Sequence, residues 1–117
     1  MKAARPTGPK TRNDLLPGTL EMLILKTLSI EPMHGYGIAQ HIQMLSAGVL
    51  TIEEGSLYPA LQRMLVKAWV SAEWQMSANN RRARVYTLTA VGKKQLGIEE
   101  SRFSQMFGAI RRVMKTT

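Results

Sequence analysis

The sequence predicts a mostly α fold with a small β-hairpin, on three observations. Apolar residues recur at helical spacing in four separate segments. Between Trp69 and Leu88 that period gives way to rough alternation among β-branched and aromatic residues. The length of 117 residues with 44% hydrophobic content supports one core and leaves little room for a second.

The first helix opens at Pro17-Gly18-Thr19 and carries Leu20, Leu23, Ile24 and Leu28 on one face. Glu31-Pro32 stops it, because proline disfavours helical geometry in the residue before it. Met33-His34-Gly35-Tyr36-Gly37 reads as a turn shaped by His34, leading into a second helix. That helix should bury Ile38, Ile42 and Leu45 and end at Ala47-Gly48. Thr51 and Glu54 have capping-box spacing, so a third helix is expected through Lys67, burying Leu57, Leu61 and Leu65. Pro59 is awkward there because it removes an internal hydrogen bond. A start capped by Ser56 instead would put Pro59 in the first turn, and the sequence leaves both starts open.

Trp69–Trp74 and Arg84–Leu88 are expected to pair as a β-hairpin, joined by the polar tip Ser77-Ala78-Asn79-Asn80-Arg81-Arg82. Thr89 caps a last helix in which Leu96, Phe103 and Ile110 repeat every seven residues, joined by Met106, Phe107, Val113 and Met114. Such spacing suggests helix-on-helix packing. Three helices, a hairpin and a helix are the order of a winged helix-turn-helix. In that arrangement the third helix enters the major groove and the hairpin tip lies along the backbone or minor groove.

The charge map fits. Sixteen Lys and Arg against eight Asp and Glu give +8 at pH 7, which favours a polyanion such as nucleic acid, or less readily an anionic membrane surface. Lys2, Arg5, Lys10 and Arg12 form an acid-free arm broken by Pro6, Gly8 and Pro9, expected to be a flexible tail over residues 1–14. A second basic block comprises Arg63, Lys67, Arg81, Arg82, Arg84, Lys93 and Lys94, opposed only by Glu73.

Other classes fail on inventory. Without cysteine there is no disulfide, thiolate site or cysteine nucleophile. His34 and His41 cannot build a histidine zinc site alone, and no cofactor or metal is expected. Asp14 is the only Asp, Glu53-Glu54 and Glu99-Glu100 are sequence neighbours pointing different ways, and no phosphate loop or nucleophile–base set occurs, so an enzyme is not expected. The longest run of large apolar residues, Met22-Leu23-Ile24-Leu25, is far short of the ~20 residues a membrane span needs. The basic start lacks the apolar stretch of a secretory signal, and a cytoplasmic location is expected.

Four blocks then carry a resemblance. Gly18-Thr19-Leu20-Glu21-Met22-Leu23-Ile24-Leu25, His34-Gly35-Tyr36-Gly37-Ile38, Glu54-Gly55-Ser56-Leu57-Tyr58-Pro59-Ala60-Leu61 and Tyr86-Thr87-Leu88-Thr89-Ala90-Val91-Gly92 resemble, in this order and spacing, the PadR family of bacterial transcriptional regulators. The resemblance runs from about Leu16 to Leu96 and is closest to the short branch with a single C-terminal helix. It implies a homodimeric winged-helix repressor, often of detoxification or efflux genes, which releases double-stranded DNA when a small-molecule effector binds. It also implies that the C-terminal helices build the dimer. The expected organisation is then a basic arm (1–14), a DNA-binding domain (15–89) and a dimerisation helix (90–117).

Ser56, Tyr58, Gln62 and Arg63 occupy the part of the third helix left over by its buried face, and all can donate to phosphates or base edges. The alternatives are a solvated face and, for Tyr58, a ring packed under the preceding helix. Asn80, Arg81 and Arg82 are expected wing contacts supported by Arg84, since a soluble turn needs no cluster of mutually repelling arginines. Tyr36 suits either a phosphate contact or the core. Leu96, Phe103, Phe107, Ile110 and Met114 are expected in the dimer interface. Trp69, Trp74, Phe103, Met106 and Phe107 suit either an effector cavity between wing and last helix or ordinary core and interface. Three rival functions share these surfaces: a non-specific DNA-coating protein, an RNA-binding basic domain, and a winged-helix protein-interaction adaptor.

Overall fold

A computed structural model describes Leu15 and residues 18–116. The basic arm expected over residues 1–14 lies outside the described residues. The element order is α1 (Thr19–Leu28), β1 (Met33–His34), α2 (Gly35–Leu45), α3 (Glu54–Val66), β2 (Val70–Met76), β3 (Arg82–Leu88) and α4 (Ala90–Met114). This is the mostly α winged-helix architecture expected, with one addition. Met33-His34 is a short strand rather than a simple turn: it pairs antiparallel with Val85 and Tyr86, making a three-stranded sheet in the order β1-β3-β2.

One core holds the elements together. Ile24, Leu25 and Leu28 of α1 meet Ile38 and Ile42 of α2, Leu57, Ala60, Leu61 and Met64 of α3, Val70, Tyr86 and Leu96. The α3 face differs from the expected one: Met64 is fully buried, whereas Leu65 packs only at the edge. Leu45 is exposed rather than buried, because it stands in the last turn of α2, beyond the reach of α1 and α3.

The helix ends follow backbone chemistry. Gly18 caps α1 at φ 87°, a left-handed conformation that glycine adopts without steric cost. The His34 ring caps α2 by accepting the Gly37 amide at 3.0 Å, a specific form of the turn-shaping expected of it. The α3 start matches neither alternative, since Glu53 occupies the cap position and Pro59 lies inside the helix. Pro59 therefore leaves the Gly55 carbonyl without an amide partner four residues on. At its other end α3 closes through Trp69 N–H to Met64 O (2.9 Å) and Ala68 N–H to Leu65 O (3.0 Å), with Ala68 left-handed at φ 63°. The last helix is capped by Thr89, whose hydroxyl accepts the Gly92 amide and donates to the Ala68 carbonyl. That junction is tight: a Cβ on Gly92 would collide with the Trp69 carbonyl oxygen.

Candidate nucleic-acid interface

Turning about 100° per residue, α3 directs Leu57, Ala60, Leu61 and Met64 inward and leaves Gly55, Pro59, Gln62 and Val66 farthest out. Tyr58 stands on one flank of that ridge, Ser56 and Arg63 on the other; all three side chains are exposed, as is Gln62. The Tyr58 ring lies against the start of α2, where an added Cβ on Gly35 would sit 2.7 Å from its Oη. This answers the open question about Tyr58: the ring packs on α2 and its outer part stays accessible, with 43% exposure overall. Burial raises its pKa above the usual 10.0, with Glu54 and then Tyr86 adding to the shift. The phenol is thus a neutral donor throughout the physiological range.

The hairpin supplies the second half of the surface. Register places Val70 opposite Leu88, Ala72 opposite Tyr86, Trp74 opposite Arg84 and Met76 opposite Arg82, all on one face by strand alternation. That face runs from apolar at the core to basic at the tip. The Arg82 and Arg84 guanidinium carbons lie 4.7 and 5.9 Å from the Trp74 ring centroid, so the indole holds two like charges side by side. Strand pairing extends to Arg82, which is therefore a strand residue rather than part of the turn. At the turn itself, Ser77 Oγ accepts the amides of Asn79 and Arg81, and Asn80 is left-handed at φ 61°. Turn geometry accounts for asparagine at that position.

Tyr36, Tyr58, Arg81, Arg82, Arg84 and Trp74 line one open groove of about 830 Å³ between the wing and the α2–α3 corner. Tyr36 belongs to this surface and not to the core: it is 62% exposed, stacked on His34, and its Oη accepts from Gln40. Ser56, Gln62 and Arg63 stand outside the groove. Among the described residues the ion pairs are Arg63–Glu21, Lys26–Glu100 and Arg102–Glu99, so the three wing arginines have no carboxylate partner. Arg63 differs from them: its Nε donates to Glu21 Oε2 at 2.9 Å.

The aromatic residues considered together as an effector cavity do not converge. Trp74 lines the wing groove, and Trp69 packs under the Lys67 ammonium at 4.5 Å. Phe103, Met106 and Phe107 line a separate groove of about 350 Å³ against Thr19 and Met22 of α1. Only the first part of α4 belongs to the core. Leu96 is 7% exposed and cannot serve as interface surface, because it is spent within the domain. Beyond it Phe103, Phe107, Ile110 and Met114 are between 46% and 76% exposed. No group of three or more His, Asp or Glu able to hold a metal occurs among the described residues, and no described helix is long and apolar enough to cross a membrane.

Some functional neighbours escaped the sequence. Trp74 as arginine support was readable from hairpin register. Glu21 was not, since it lies 42 residues from Arg63 with no local pattern linking them.

A helix-turn-helix with a basic wing is the architecture of DNA-binding regulators. The "Transcriptional regulator PadR-like family" matches residues 24–98, and the chain belongs to that family. A relative from Lysinibacillus sphaericus, named only "Uncharacterized protein X", is 28% identical over 85 residues, 73% of this chain and 78% of its own. A PadR family transcription regulator from Clostridium difficile R20291 is similar in structure, with TM-score 0.71 and 26% identity over 81% of this chain and 97% of that one. A transcriptional regulator from Clostridium thermocellum shares the fold, with TM-score 0.75 and 21% identity over 81% of this chain and 92% of that one.

Proposed function

We propose that this regulator is a homodimeric repressor of a palindromic operator, released by a small-molecule effector. The observation that carries the DNA-binding surface is the groove in which Arg81, Arg82 and Arg84, without a carboxylate partner among the described residues, stand beside Tyr36 and Tyr58, next to the exposed ridge of α3. Tyr36, Tyr58 and the wing arginines contact phosphates, while Gln62 and Arg63, with Ser56 beside them, face base edges. Asn80 shapes the wing turn and offers its amide to the backbone.

The exposed stripe of Phe103, Phe107, Ile110 and Met114 supports dimerisation through α4. Contiguous apolar surface of this kind marks association in soluble proteins. The apolar groove between α1 and α4 offers an effector space that a partner helix would complete. Two α3 helices then enter successive major grooves about 34 Å apart.

The test is selection of bound duplexes from a random DNA pool at near-physiological salt. An enriched palindrome with half-sites one turn apart is expected. Binding without enrichment would replace this reading with non-specific coating, and no binding would point to RNA or a protein partner.

A further inference from the structure

Among the described residues, one acidic side chain is joined to the DNA-facing helix by an ion pair. Glu21 projects from α1 and accepts from Arg63 Nε at 2.9 Å; its side chain is 14% exposed while that of Arg63 is 55% exposed. The bond uses the inner nitrogen of the guanidinium, on a side chain that stays more than half exposed. A free arginine loses side-chain rotamer entropy when it docks. One already held at Nε presents a fixed fork, the shape that reads guanine O6 and N7 or grips a phosphate in two places.

We propose that Glu21 is a positioning residue for sequence recognition: it orients Arg63 for two-point contact with DNA and opposes indiscriminate phosphate binding with its own charge. This rests on the DNA-binding reading above. The charge of the carboxylate disfavours every duplex, and the orientation it imposes outweighs that repulsion only at sites where the fork finds its acceptors. Arg63 thus differs in kind from the wing arginines, which have no carboxylate partner among the described residues and act as a general cationic surface.

The test uses the full chain, the duplex enriched by selection and a random-sequence duplex of equal length. Glu21→Ala should hold or raise affinity for the random duplex, lower it for the selected one, and so reduce the ratio roughly tenfold, within the range a two-point base contact provides. Glu21→Gln, whose amide oxygen still accepts from Nε but which carries no charge, should retain affinity for the selected duplex and raise it for the random one. Glu21→Ala combined with Arg63→Ala should lose no more than Arg63→Ala alone. An unchanged ratio in folded Glu21→Ala, or losses that add in the double variant, overturns the proposal and makes the pair a tertiary clamp between α1 and α3. Should Glu21→Ala unfold, Arg63→Lys decides: it keeps the ion pair and lacks the fork, so a retained ratio is equally fatal. A wild-type chain that binds no duplex refutes the DNA reading itself, which separates the two failures.

Discussion

Gly35→Ala should impair DNA binding while leaving the fold almost untouched. The new Cβ would meet Tyr58 Oη at 2.7 Å, Cε1 at 2.8 Å and Cζ at 2.9 Å, all at the far end of a side chain that can swing outward. Because Tyr58 is 43% exposed, yielding costs little packing, and replacing glycine in the first turn of α2 returns up to ~1 kcal/mol of helix propensity. Net stability should stay within about 1 kcal/mol of wild type. The phenol, however, leaves the position from which it donates into the groove. A hydrogen bond to a charged acceptor is worth roughly 1.5–3 kcal/mol, so affinity for the selected duplex should fall about ten- to hundredfold. Tyr58→Phe should fall similarly, and the two changes together should cost no more than either alone. The assay is a binding isotherm at fixed salt beside a urea melt. Wild-type affinity in Gly35→Ala, with stability reduced by more than about 2 kcal/mol, would refute the reasoning: Tyr58 would then be a rigid packing element and not a DNA donor.

Gly92→Ala behaves oppositely, because its Cβ would strike the Trp69 carbonyl and approach Leu88 Cδ1 to 2.7 Å, where neither can move freely. A loss of about 1–3 kcal/mol is expected, lowering the melting temperature by roughly 4–8 °C per kcal/mol. Ala68→Gly relieves a left-handed alanine at the end of α3 and should stabilise by about 0.5–1 kcal/mol in a urea melt. Arg81→Ala with Arg82→Ala should weaken binding to selected and random duplexes alike and reduce the salt slope by about 1.8; an unchanged slope would place the wing off the backbone. Tyr58 holds its proton more tightly folded than unfolded, so folding stability should decline as pH rises from 10.0 towards its raised native value. Tyr58→Phe should remove that decline.

Helix periods and the change of period were enough to read the element order, because burial on one face imposes them directly on side-chain type. They missed β1, since two residues are too few to show alternation and pair only because β3 lies beside them. They misplaced the start of α3 because Thr51-Ile52-Glu53-Glu54 imitates a capping box, whereas the helix begins at Glu54 with no side-chain cap bond. Leu96 was grouped with Phe103 and Ile110 by spacing alone. A heptad records that residues share a face, not which neighbour covers it, and here the domain covers the first and leaves the others open.

The blocks that carry the family resemblance are mostly junctions. Gly18 turns the chain into α1, His34 caps α2, Gly35 makes room for Tyr58, Thr89 caps α4 and Gly92 admits the Trp69 carbonyl. Residues with such duties build a frame, and a frame can be recognised without revealing which sequence it reads. On the proposed reading, discrimination then falls largely to side chains outside those duties, Gln62 and Arg63 on α3. Arg63 is the instructive member, because its meaning depends on a carboxylate from another helix. If Glu21 sets its direction, specificity is determined jointly by α1 and α3, and exchanging α3 alone between related regulators would transfer affinity without transferring operator choice. A chimera with a foreign α3 that adopts the donor's operator at full discrimination, while Glu21 has no arginine to hold, would show that α3 reads DNA without help from α1.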